Sequence, residues 1–267
     1  MKSIILAAGT GTRLRPYTDK VPKCMVRFAG KPLLSWQIAA FRLAGIEDIT
    51  IVTGYKAEVI HEAFPGLTYR HNPDFAETNM LHSLYCAEDI LRRGGETLIA
   101  YSDIIFEPKA VTALLTESAA RERMTVASNI RWHDLWAARL EDPLSDAESF
   151  IVNADGYIEE LGRKAADITL VQGQYMGLFT CNHEESLAMP ALYESLDDSF
   201  LLEGRPKHKA FMTAWLQYRI DAGAKAKAIP IDGGWLEVDT TDDLEQYEEW
   251  SSRGILRHIC DVSFGAG

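Results

Sequence analysis

The strongest constraint on this chain lies in its first two dozen residues. An apolar run over residues 3–8 stops at Gly9-Thr10-Gly11-Thr12-Arg13-Leu14, and Pro22-Lys23 follows. A short continuous apolar run of this kind reads as a parallel strand covered on both faces. Ala7, Ala8, Gly9 and Gly11 are small enough for the backbone to approach a ligand closely. The turn at the carboxyl end of a first parallel strand is where α/β sheets bind ligands. Consecutive backbone N–H groups there form a nest for phosphate oxygens, and Arg13 and Lys23 supply positive charge. The string lacks the third glycine of the dinucleotide turn and the Gly-Lys-Ser/Thr ending of the P-loop. The bland alternative is a tight turn made by Gly9 and Gly11, with Arg13 and Lys23 solvated.

Beyond the turn, strand and helix signals alternate. Residues 32–44, 56–64, 78–92 and 108–120 read as helices, and residues 48–53, 67–70 and 96–101 as strands. Such alternation predicts βαβ units and a mostly parallel sheet. The second half is more mixed, with strands expected at 124–130, 157–161 and 174–181, helices at 207–222 and 242–250, and an irregular insertion around 130–175. The 27 Lys and Arg residues against 39 Asp and Glu leave a net charge of −12, which argues against a nucleic acid partner. No apolar run approaches the roughly 20 residues of a membrane helix. Residues 1–9 are too short for a secretory leader and read as the buried first strand. Cys24, Cys86, Cys181 and Cys260 are far apart and lack zinc-ligand spacing. Reduced thiols in a cytoplasmic protein are therefore expected.

The string from Leu6 to Lys23, with Arg two residues past the second glycine and Lys ten further on, is specific. It resembles the signature of nucleotidyltransferases that activate sugar phosphates and phospho-alcohols, the pyrophosphorylase-like members of the GT-A-like superfamily. The resemblance implies a single-domain, Rossmann-like α/β fold: a mixed, mostly parallel sheet flanked by helices, with the irregular insertion on the acceptor side. It implies one nucleotidyltransferase domain over residues 1–255, with a nucleotide half to about 125 and an acceptor half from about 126, and a tail at 256–267. In such enzymes the loop corresponding to Leu6, Ala7, Ala8, Gly9, Thr10, Gly11 and Thr12 wraps the triphosphate. Arg13 and Lys23 would be the catalytic cations around the phosphates, and a homodimer is compatible with the family.

The resemblance also demands two aspartates that hold Mg²⁺. Asp103 follows the apolar strand 96–101, with Ser102 where the family usually has Gly. Asp239 stands in Trp235-Leu236-Glu237-Val238-Asp239-Thr240, which is similar to the family's Val-Asp-Thr segment. Mg²⁺ takes hard oxygen ligands and keeps several waters, so two carboxylates plus phosphates suffice. Alone, Asp103 reads as a strand-end turn residue and Asp239 as a helix cap, a job Thr240 or Thr241 could also do. The implied chemistry is in-line attack of an anionic phosphate or phosphonate oxygen on the α-phosphorus of a nucleoside triphosphate, with pyrophosphate leaving. Catalysis is then positioning and charge neutralisation.

Asn72-Pro73 followed by Glu77-Thr78-Asn79-Met80-Leu81-His82-Ser83-Leu84 is similar to the phosphocholine and aminoethylphosphonate cytidylyltransferase branch, although Met80 replaces a common Asn. By that analogy Asn79, Ser83 and Ser102 contribute to the nucleotide site and CTP is the expected donor. The expected acceptor is a small phosphorylated alcohol or amine, or a phosphonate. A small amine would want aromatic faces and a carboxylate, and Tyr175, Gly177, Trp235 and Glu237 are the candidates in acceptor-side segments. A sugar 1-phosphate nucleotidyltransferase and a catalytically silent nucleotide-binding subunit are the competing readings. Retention of Arg13, Lys23, Asp103 and Asp239 argues against the silent one.

Overall fold

The computed structural model describes residues 1–267 other than 117, 118, 120, 198, 266 and 267. A seven-stranded sheet runs through the molecule. Its strands are β1 (Lys2–Ala7), β2 (Asp48–Thr53), β3 (Thr68–His71), β4 (Thr97–Tyr101), β5 (Met124–Asn129), β6 (Gln174–Cys181) and β7 (Ala226–Ile231), in the spatial order β7-β5-β6-β4-β1-β2-β3. β6 is antiparallel to β4 and to β5, and the remaining pairs are parallel. The mixed, mostly parallel sheet flanked by helices is the expected architecture.

Side chains alternate across a strand, so β1 can serve two cores. Ile5 and Ala7 join the apolar cluster beneath helix Leu33–Leu43, while Ile4 and Leu6 join the cluster on the opposite face. All six residues of β1 are buried, which is why Ile4 to Ala7 is continuously apolar rather than alternating. From β1 the chain winds outward to β2 and β3, then returns to β4 on the other side. The carboxyl ends of β1 and β4 therefore flank the point where strand order reverses.

Several elements differ from expectation. The helix expected at 78–92 is two short ones, Met80–Tyr85 and Glu88–Leu91, interrupted at Cys86 and Ala87. The helix expected at 207–222 starts at Met212, because Ala210 and Phe211 are extended. The helix expected at 108–120 is observed as Pro108–Leu114, and positions 117, 118 and 120 lie outside the described residues. A helix absent from the sequence reading, His183–Ser195, carries Pro190 inside it and is capped by Asn182 Oδ1 accepting from the Glu185 N–H at 2.9 Å. The 130–175 segment is not irregular throughout. It holds helix Trp132–Arg139 and an antiparallel hairpin, Glu148–Val152 with Ile158–Lys164. The hairpin's second strand is the one expected at 157–161, and two register shifts interrupt the pairing along it. Leu256 and Cys260 are buried in the same cluster as Trp36, and Phe264 meets the Trp36 ring edge-on at 5.8 Å. No helix among the described residues is long and apolar enough to cross a membrane, and all four cysteines are free thiols.

Candidate active site

A cleft of about 250 Å³ opens where β1 and β4 end. Its floor is the glycine-rich loop. Gly11 adopts φ +62°, and a Cβ there would lie 2.8 Å from Lys23 Cβ, so both the backbone conformation and the close approach exclude a side chain. Thr18 Oγ1 donates to the Gly11 carbonyl at 2.8 Å and closes the loop on itself. A Cβ on Gly9 would meet nothing within 4 Å, because the cleft lies in front of it. Leu14 and Cys24 are buried in the core and anchor the turns that carry Arg13 and Lys23.

Lys23 Nζ lies between two carboxylates, 2.9 Å from Asp103 Oδ2 and 2.5 Å from Asp239 Oδ1. Arg13, largely exposed, reaches Asp239 Oδ2 at 3.2 Å. Burial opposes charge on Lys23, but Asp103 and Asp239 outweigh it and hold the ammonium well above the ordinary lysine value. Burial also opposes charge on Asp239, and Lys23 and Arg13 keep it below the usual carboxylate range.

Two pieces of local structure bring the aspartates together. A short ribbon pairs Ile104–Phe106 with Trp235–Glu237, Ile104 opposite Glu237, and the Val238 N–H donates to the Asp103 carbonyl at 2.9 Å. Asp103 and Asp239 thus leave the same end of one ribbon. Asp239 does not cap the following helix, Thr241–Ser252. Thr240 does so in a capping box with Asp243. Asp243 Oδ2 also accepts from the Asp239 N–H at 3.0 Å, which leaves the Asp239 carboxylate free to face the cleft. Behind Ser102, the Gln37 amide donates to the carbonyls of Tyr101 at 2.9 Å and Ile104 at 2.7 Å, fixing the turn that presents Asp103.

The donor set fits a hard divalent cation. Two carboxylates already converge on one cationic group, and Asp103 Oδ1 is buried with no hydrogen-bond partner. Among the described residues no group of three or more His, Cys, Asp or Glu converges as a metal cage. The remaining ligands to Mg²⁺ would be phosphate oxygens and water.

Of the nucleotide-site candidates, Leu6, Ala7, residues 9–12, Asn79 and Ser102 line the cleft. Asn79 is at once the N-terminal cap of helix Met80–Tyr85 and a cleft residue, so its two readings coexist. Two candidates do not face the cleft. Ala8 turns its carbonyl to the Tyr55 N–H at 3.1 Å. Ser83 is buried, and its hydroxyl accepts from the Asn72 amide at 3.0 Å.

A second cleft, also about 250 Å³, adjoins the first through Arg13, Met80 and Asp239. Tyr175, Gly177 and Glu237, three of the four acceptor-side candidates, line it together. Gly177 has φ +69°, and a Cβ there would press on the Tyr101 ring at 2.9 Å. Trp235 is not a lining residue. It stands one layer back, stacked on Trp136 at 5.5 Å, and its indole N–H donates to the Met176 carbonyl at 3.1 Å. Trp136 takes the place at the wall, with the Arg139 guanidinium 5.1 Å over its ring. The sequence reading missed Asp146, Glu148 and Gln174, which complete this cleft. No sequence spacing marks them, because the hairpin and β6 bring them together. Burial pushes Glu237 well above the usual carboxylate range, assisted by Asp239 and Asp103.

Residues 3–156 match the family model described as the MobA-like NTP transferase domain. The CTP:phosphoglutamine cytidylyltransferase of Campylobacter jejuni is 36% identical over 252 residues, covering 92% of this chain and 98% of the relative. The UTP--glucose-1-phosphate uridylyltransferase of Haloferax volcanii is 37% identical over 261 residues, covering 93% and 96%. The structure of CTP:phosphocholine cytidylyltransferase from Streptococcus pneumoniae superposes with a TM-score of 0.69 at 22% identity, covering 93% of this chain and 97% of that one. That last likeness is one of fold.

Proposed function

This chain belongs to the MobA-like NTP transferase family and is a nucleotidyltransferase, and from that premise we propose that it transfers CMP from CTP to a small acceptor bearing a phosphoryl or phosphonate group, releasing pyrophosphate. The observation that carries the reading is the meeting of Lys23, Asp103 and Asp239 at the mouth of the glycine-rich loop, with a second cleft opening directly beyond Asp239. The C. jejuni relative, a cytidylyltransferase by name and nearly equal in extent, supports CTP as donor.

The backbone N–H groups of residues 9–12 cradle the triphosphate, and Arg13 neutralises it from the exposed side. An acceptor oxygen, already anionic, forms a bond to the α-phosphorus from the second cleft. The bond from that phosphorus to the bridging oxygen breaks, and the electron pair departs with pyrophosphate. No general base is needed. Lys23 neutralises charge that develops on the α-phosphoryl oxygens, in a partly buried site where such a contact is strong. Asp103 and Asp239 would hold Mg²⁺, which when bound supplies further neutralisation of the phosphates.

A sugar 1-phosphate acceptor is the second reading, supported by the uridylyltransferase relative. Pyrophosphate release measured for CTP, UTP, dTTP, ATP and GTP against small phosphorylated amines, 2-aminoethylphosphonate and hexose 1-phosphates separates the two. Turnover confined to CTP with a small acceptor is the expected result. Turnover with UTP and glucose 1-phosphate would replace it with the second reading.

A further inference from the structure

The acceptor-side cleft contains polar groups that the transfer chemistry does not use. Asp146, Glu148 and Glu237 line it with carboxylates. Gln174 also lines it, is 6% exposed, and leaves its Oε1 buried with no hydrogen-bond partner. Each of these atoms offers a lone pair. The neighbouring cations are already committed, Arg13 to Asp239 at 3.2 Å and Arg139 to Asp243 at 2.8 Å and, more loosely, to Glu237 at 3.9 Å. Among the described residues no ion pair reaches Asp146 or Glu148. Burial, then Asp146 and Glu203, push the Glu148 carboxyl up to about 7, and burial raises Asp146 in the same direction. Asp146 and Glu148, with no ion-pair partner among the described residues, leave room for a cation that the protein does not itself supply.

Resting on the cytidylyltransferase reading, we propose that this cleft binds the end of the acceptor remote from its phosphoryl or phosphonate group, and that this end is a primary ammonium whose N–H donors are met by Glu148, Asp146, Glu237 and Gln174 Oε1. The aromatic walls alone, Trp136, Tyr101, Tyr175 and Phe211, would accept any ammonium, including a quaternary one. The orphaned amide oxygen and the carboxylates decide between them. A trimethylammonium has no N–H, so it would cover Gln174 Oε1 with methyl groups and leave it unsatisfied. A primary ammonium carries three donors and satisfies it.

The test uses matched acceptors that differ only in N-methylation: phosphoethanolamine against phosphocholine, and 2-aminoethylphosphonate against its N,N,N-trimethyl form, with phosphoglutamine alongside. CTP binding is followed separately by calorimetry. At least one primary-ammonium acceptor is expected to turn over, with its trimethylated partner at least about tenfold lower in kcat/KM. Glu148→Gln and Gln174→Leu should each raise KM for that acceptor about tenfold or more while KM for CTP stays within about twofold. If one variant fails to fold, the other carries the test. Equal or faster turnover of the trimethylated partner would overturn the proposal. So would unchanged acceptor KM in the variants, and so would CTP binding with turnover of no ammonium acceptor. In each of those cases the cytidylyltransferase reading stands wherever CTP binds and any acceptor releases pyrophosphate. Absence of both CTP binding and pyrophosphate release would overturn the reading itself.

Discussion

Lys23 and Asp239 are joined by an ion pair 2.5 Å long that spans 216 residues of sequence. Each partner is held from behind by a feature that tolerates little change. Lys23 packs its Cβ into the space left by Gly11, and Asp239 hangs its backbone N–H on Asp243. The pair joins the glycine-rich loop to the end of the ribbon, so both halves of the candidate site depend on it.

Replacement of Lys23 by Ala should lower kcat by a factor of about 100 or more, the usual cost of removing one preorganised charge from a transfer site. Far-UV circular dichroism should be unchanged, because the side chain leads into the cleft rather than the core. Near-normal turnover would remove Lys23 from the chemistry.

Asp103→Asn should raise the Mg²⁺ concentration for half-maximal turnover about tenfold or more, since one of only two protein carboxylates loses its charge. A metal titration at saturating CTP reads this directly. An unchanged midpoint would take Asp103 out of the metal shell.

At Gly11, alanine would meet Lys23 Cβ at 2.8 Å and would have to hold φ +62°. Gly11→Ala should destabilise the protein by about 1–3 kcal/mol and displace Lys23, so kcat should fall together with the midpoint of urea unfolding. A stability loss without a kcat loss would show that the loop does not position Lys23.

The Asp243 carboxylate serves three partners: the N–H groups of Asp239 and Thr240, and the Arg139 guanidinium, which is 3% exposed. Asp243→Ala leaves a buried cation with only Glu237, 3.9 Å away, as well as removing a cap, and should cost about 3 kcal/mol. Thr240→Ala removes the cap alone and should cost about 1 kcal/mol. Chemical denaturation of the two variants side by side checks the ordering.

Glu148 titrates at about 7 in the folded chain, against 4.5 for an ordinary glutamate. Its raised value means that the folded state holds the proton more tightly than the unfolded chain. Its contribution to stability is therefore present at low pH and is lost as pH rises from about 4.5 to about 7. Glu148→Gln should remove that loss. Relative to wild type, the variant should gain on the order of 1 kcal/mol per pH unit across this window. Thermal unfolding at pH 5, 6 and 7 measures the difference. A constant gap between the two proteins would show that Glu148 does not ionise there.

The parts of the site that come from contiguous residues were legible in advance. The buried run of β1, the tight turn at Gly9 and Gly11, the strand-end position of Asp103 and the capping role open to Thr240 all rest on chemistry within a few residues of one another. Misreadings began where contacts skip along the chain. Ser83 was expected at the nucleotide and instead satisfies Asn72. Trp235 was expected at the acceptor and instead lies behind Trp136, and nothing local tells a strand which of two aromatic layers it will occupy.

The sequence alone determined that a glycine-rich turn follows a doubly covered first strand in a mostly parallel α/β sheet, because backbone sterics, apolar periodicity and small side chains act locally. Tertiary structure alone decided that Asp103 and Asp239 share one ribbon end, and that Asp146, Glu148 and Gln174 close one acidic cleft. The physical reason is that strand register and the packing of a bulged hairpin against the sheet depend on partners far away in the chain, and no short segment encodes them.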